Sequence, residues 1–142
     1  MMQYYAKLKK QQGGGFLVTY ADLPGCLTEG RNLNEALTNA KEVLDGWLAA
    51  NCDRDLNIPP PRKRNPRGHY PISVNIQIEF AVRLRMLRKK RRLSQKEVAD
   101  RLDISQQAYA KLETPLKTNP SLTTIQKLSD ALDAEIDIQV AA

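Results

Sequence analysis

The chain has 142 residues, a formal net charge of +6 and an apolar share of 42%, which suits one globular domain or two small ones. No apolar run approaches the roughly 20 residues that a membrane span needs, and the first residues, MMQYYAKLKK, hold no secretory core, so a cytoplasmic protein with no membrane partner is expected. Cys26, Cys52 and the single His69 have no metal-ligand spacing, so neither a metal nor a cofactor is expected, and both cysteines read as small buried side chains.

In chain order, residues 4–9 and 16–20 read as two strands. The glycine-rich stretch Gln11-Gln12-Gly13-Gly14-Gly15 between them predicts a hairpin. A phosphate-cradling loop would need a strand leading into a helix, and here strand leads to strand. Asp22-Leu23-Pro24-Gly25 predicts a turn, and residues 26–29 a short third strand. Asn32-Leu33-Asn34-Glu35 has the form of a capping box. It opens a predicted helix over 33–50, whose stripe Leu33, Ala36, Leu37, Ala40, Leu44, Trp47 and Leu48 suits packing on a small sheet. Residues 53–70 are proline-rich and basic, a long loop. Ile72, Val74, Ile76 and Ile78 then alternate with Ser73, Asn75 and Gln77, which predicts a half-buried strand over 72–78. The first domain, residues 1–78, is therefore expected to run β-β-β-α-β.

From residue 79 the pattern becomes helical, giving a second domain over 79–142 and an α+β chain overall. Ser94-Gln95-Lys96-Glu97 is a second capping box, opening a short helix that buries Val98, Ala99 and Leu102. Asp103 falls where a left-handed residue is wanted. Ser105 caps the next helix, whose core-facing residues are expected to be Ala108, Tyr109 and Leu112. Gln106 and Gln107 lie in its first turn, with Lys111 one turn on. Gln pairs bidentately with adenine N6 and N7, and Lys reaches guanine O6 and N7. A helix starting with two glutamines is suited to entering the major groove end-on. Residues 135–140 alternate again through Ile136, Ile138 and Val140, predicting a short terminal strand that needs a partner.

The charge is uneven. Residues 59–92 hold eleven basic side chains and one acidic, whereas the stretches on either side are slightly acidic. This belt, Arg62-Lys63-Arg64, Arg67 and then Arg83 to Arg92, neighbours the two short helices in sequence. Phosphate contact is favoured there over a merely solvated face.

The pattern Arg85-x-x-Arg88, Leu93-Ser94-Gln95, Val98-Ala99, Leu102, Ile104-Ser105-Gln106, Leu112-Glu113 and Pro120-Ser121 resembles the Cro/cI-type (XRE-like) repressors. The resemblance implies base readout by Gln106, Gln107 and Lys111. It implies phosphate contact by Gln95, and by Lys117 and Asn119 in the following loop. It further implies a structural ion pair between Arg85 and Glu113, and a dimer, possibly of higher order, on two half-sites of operator DNA. Arg92 and Asp103 stand where glycines are frequent in that family. Thr114-Pro115 replaces its usual turn after the recognition helix.

The first half resembles a second family. Asp22-Leu23-Pro24-Gly25-Cys26, Glu29-Gly30, Leu33-x-Glu35-Ala36, Ala40-x-x-x-Leu44 and Ile58-Pro59-x-Pro61 are similar to the HicB antitoxins of bacteria. That resemblance implies a partial ribonuclease-H-like domain which binds and blocks a HicA-type mRNA-cleaving toxin. It also implies repression of the chain's own operon through the helix-turn-helix. The domain is expected to be non-catalytic. Asp22, Glu29, Glu35, Glu42, Asp45, Asp53 and Asp55 fall in turns, at a cap or on a helix face, rather than converging as two-metal catalysis requires. The competing expectation is a ligand-responsive repressor whose first domain senses a small molecule. Toxin-contacting residues are not legible.

Overall fold

The computed structural model describes residues 1–65 and 67–142. The chain divides into two compact units, Met1–Glu79 and Phe80–Ala142.

The first unit is a four-stranded antiparallel sheet under one helix. Strands β1 (Gln3–Lys10), β2 (Phe16–Tyr20), β3 (Leu27–Gly30) and β4 (His69–Ser73) lie in the order β3-β2-β1-β4. The β1–β2 turn closes through Gln11 N–H on Gly15 O at 3.1 Å, with Gly13, Gly14 and Gly15 all at positive φ, a conformation that costs glycine little. Register sets the two faces. Ala6 pairs with Tyr20 and Tyr4 with Ile72, and all four side chains are buried on the face that receives helix α1 (Leu33–Asp53).

Helix α1 begins where the Asn32 side chain accepts from Glu35 N–H at 2.9 Å. The Glu35 carboxylate engages the Arg31 guanidinium at 2.8 Å. Ala36, Ala40, Leu44 and Leu48 supply the buried stripe, extended by Ala49 and Cys52. The Tyr20 hydroxyl donates to Ala40 O at 2.6 Å, tying β2 to the helix. Gly30 lets β3 approach closely, since a Cβ there would lie 2.3 Å from Ala36 N.

The strand expected over 72–78 ends at Ser73 instead, and helix α2 (Ile76–Lys90) follows at once. The reason lies at Asn75. Its side chain accepts from Gln77 N–H at 2.9 Å, an N-cap bond, while its own N–H donates to Asp45 of α1 at 2.9 Å. Ile72 and Val74 are buried as the alternation implied, but Ile76 is 82% exposed. Burial then resumes at Ile78, Ala81, Val82 and Arg85, the spacing of a helix.

In the second unit, α3 (Gln95–Leu102), α4 (Gln106–Leu112) and α5 (Leu122–Ala131) follow the end of α2. Their core is Leu84, Val98, Ala99, Tyr109, Leu128 and Leu132, with Phe80, Leu87, Leu93, Leu102, Leu112, Ala134 and Ile136 packed against it. Ala108, expected in this core, is exposed, because α4 is only seven residues long and turns Tyr109 inward. Residues 134–142 form neither helix nor strand in the single chain. The fold is α+β.

Candidate nucleic-acid interface

Both helix starts at the turn are locally encoded. The Ser94 hydroxyl accepts from Glu97 N–H at 3.0 Å, and the Glu97 carboxylate accepts from Ser94 N–H at 3.2 Å. The α3 helix ends on Asp103 in the left-handed conformation (φ 55°, ψ 45°). Two residues later the Ser105 hydroxyl accepts from Ala108 N–H at 3.1 Å and opens α4. This serine cap leaves Gln106 and Gln107 exposed in the first turn of α4, with Lys111 exposed one turn further on. Lys117 and Asn119 are exposed in the loop that follows.

A buried polar cluster lies behind the turn. Arg88 and Glu113, 8% and 5% exposed, meet in a two-pronged pair, Nε to Oε2 at 2.6 Å and the second guanidinium nitrogen to Oε1 at 3.0 Å. Arg88 also donates to Leu93 O at 2.9 Å. Gln95 Nε2 donates to Glu113 Oε1 at 3.3 Å. One of the two amide hydrogens of Gln95 is thereby engaged, and the other remains to point outward. Burial pushes the Tyr109 hydroxyl well above its usual range, and the neighbouring Glu113 carboxylate pushes it further. The Glu113 bonds described here come from Arg88, one helical turn beyond the Arg85 of the expected pair. Arg85 is itself buried, at 4% exposed.

The basic belt is not uniformly available to phosphate. Arg88 serves Glu113. Arg91 closes the end of α5, donating to Leu132 O at 3.0 Å and Asp133 O at 2.9 Å. In the first unit Arg64 pairs with Asp22, which also accepts from Arg62 N–H at 3.0 Å. Sequence reasoning missed these structural tasks, because each joins residues tens of positions apart. Only the Arg85-x-x-Arg88 spacing hinted that both arginines share a helix face.

The other first-unit carboxylates are also occupied by local partners, Glu35 by Arg31 and Asp45 by Lys41 at 3.2 Å. Among the described residues no group of three or more Asp, Glu, His or Cys side chains could hold a metal ion. A groove of about 350 Å³ runs along Gln11, the Gly13–Gly15 turn, Glu29, Arg31 and Glu35. Its lining is polar and glycine-rich, unlike the apolar walls usual in small-molecule sites. No helix among the described residues is long and apolar enough to cross a membrane.

Comparison with known sequences matches residues 84–139 to the family described as "Helix-turn-helix". Residues 4–81 match the family described as "HicB_like antitoxin of bacterial toxin-antitoxin system". The chain belongs to the HicB-like antitoxin family. Among its relatives, "Antitoxin HicB" of Escherichia coli K12 is 26% identical over 137 residues, covering 96% of this chain and 98% of that protein. "Antitoxin HicB 1" of Photorhabdus laumondii is 24% identical over 139 residues, covering 98% of this chain and 87% of that one. The crystal structure of the Burkholderia pseudomallei antitoxin HicB aligns with a TM-score of 0.47 at 19% identity, over 55% of this chain and 67% of that one. In this HicB-like chain the antitoxin match ends three residues before the helix-turn-helix match begins, and both fall on folded segments.

Proposed function

We propose that this chain neutralises a HicA-type mRNA-cleaving toxin through residues 1–78 and represses its own operon through residues 79–142. The observation that carries the reading is one chain holding both an antitoxin-family unit and a serine-capped α4 with Gln106 and Gln107 exposed at its start. Gln106, Gln107 and Lys111 read base edges. Gln95, Lys117 and Asn119 hold phosphates and set the register of the helix in the groove. Two copies bind half-sites about one helical turn, roughly 34 Å, apart. The first unit acts sterically on the toxin and is not an enzyme, and the protein works in the cytoplasm. A small-molecule sensor gains no support from the polar groove beside the glycine turn.

Two measurements test this. Co-expression with the basic toxin encoded beside it should restore growth to cells that the toxin alone arrests. Fluorescence anisotropy with the operon's own promoter should give binding at least a hundredfold tighter than to scrambled DNA at equal salt. Growth arrest that persists, together with promoter binding no better than scrambled, would defeat the reading.

A further inference from the structure

The tail after α5 starts from a fixed point. Asp133 turns the chain through a left-handed conformation (φ 47°). Arg91 holds Leu132 O and Asp133 O, Ala134 N–H donates to Ser129 O at 3.0 Å, and the Ser129 hydroxyl returns to Ala134 O. Ala134 and Ile136 then pack against the helical core. Beyond that anchor the chain covers nothing further. Ile138 is 54% exposed and Val140 96%, although both continue the alternation that Ile136 begins. In an extended chain residues i, i+2 and i+4 share a face. The apolar face thus starts on the core and runs out into solvent with its backbone unpaired by any neighbouring strand.

We infer that this tail pairs antiparallel with the same tail of a second copy, with Ile138 on the two-fold axis. The occupant follows from the sequence around Ile138. Reflecting the tail about that residue places Ile136 opposite Val140 and Asp137 opposite Gln139, so every apolar side chain meets an apolar one and no carboxylate meets a carboxylate. A register centred on Asp137 would set the two Asp137 side chains directly against each other, which disfavours that pair. A register centred on Gln139 would leave Ile136 facing Ala142. Such a self-complementary surface is what an isologous two-fold contact requires. An isolated pair of strands is marginal in water, but here each strand is anchored through Arg91 and Ile136. The inference rests on the dimer of the proposed function and specifies what holds it.

The test uses the full-length chain. Ile138→Asp places carboxylates across the axis, so light scattering should report half the wild-type mass, with the dimer dissociation constant raised at least a hundredfold. The melting of the monomer should not move, because Ile138 lies outside the core. Ile138→Cys should form a disulfide-linked dimer under mild oxidation, while Asp137→Cys should not, since its copies sit diagonally rather than opposite. A dimer unchanged by Ile138→Asp, or cross-linking by Asp137→Cys in preference to Ile138→Cys, overturns the assignment. Promoter binding by the wild type is scored separately. If it is absent while Ile138→Asp still halves the mass, the repressor reading fails and the tail contact stands.

Discussion

The Arg88 guanidinium grips both carboxylate oxygens of Glu113, joining the last turn of α2 to the C-terminal end of α4. Both side chains are buried, so removing one strands the charge of the other. Arg88→Ala or Glu113→Ala should therefore destabilise the second unit by about 3–5 kcal/mol. Denaturant unfolding of each single variant and of the double variant measures this. A double variant much less damaging than the sum of the singles is the expected signature.

Gln95 is tied to the same carboxylate, whereas Gln106 and Gln107 are free of it by position on α4. Gln106→Ala or Gln107→Ala should reduce discrimination at one base pair by about 1–3 kcal/mol. Gln95→Ala should weaken binding to all sequences alike. Competition between operator variants at fixed salt separates the two. An equal loss on specific and scrambled DNA would remove Gln106 from the base readers.

Gly30 lies against the first turn of α1, where an added Cβ would sit 2.5 Å from Ala36 Cα. Backbone on the receiving side cannot swing away as a side chain would. Gly30→Ala should cost at least about 1–3 kcal/mol through overpacking. Thermal melting of the first unit reads it, and an unchanged midpoint would mean that β3 can slide off the helix.

Arg92 occupies a left-handed conformation (φ 57°) immediately after α2. Such backbone costs an L-residue roughly 1–2 kcal/mol, partly offset by the entropy that glycine loses on folding. Arg92→Gly should consequently raise stability by about 0.5–1 kcal/mol. An unfolding midpoint that falls instead would show that the Arg92 side chain contributes more than its backbone strain.

Burial raises the Cys26 thiol from its usual 9.0 to about 12. The hydroxyls of Tyr20 and Tyr109 are raised too, by burial first and by nearby Cys26 and Glu113 respectively. Above pH 9 the unfolded chain therefore binds fewer protons at these groups than the folded one, so stability falls as pH rises. Midpoints should be flat in this respect up to about pH 8.5 and decline from pH 9 towards 12. Folded protein at pH 8 should resist thiol alkylation at Cys26.

The sequence by itself determined what depends on near neighbours. Asn32, Ser94, Ser105 and Ser121 each cap a helix through a backbone N–H three residues on. The β1–β2 hairpin follows from its glycine turn, and the α1 stripe from its period. The second unit's helix-turn-helix was legible for the same reason. Tertiary structure decided whatever hangs on a distant partner. The alternation through Ile72, Val74, Ile76 and Ile78 fits a strand and, from Ile78 onward, a helix face equally well. Asp45, thirty residues earlier, settles it by holding the Asn75 N–H at the helix start. Likewise nothing in the run Arg88 to Arg92 distinguishes the arginine buried on Glu113 or the one closing α5. Those roles are set by chain segments that only folding brings together, and burying a charge is tolerable only where such a partner is in place.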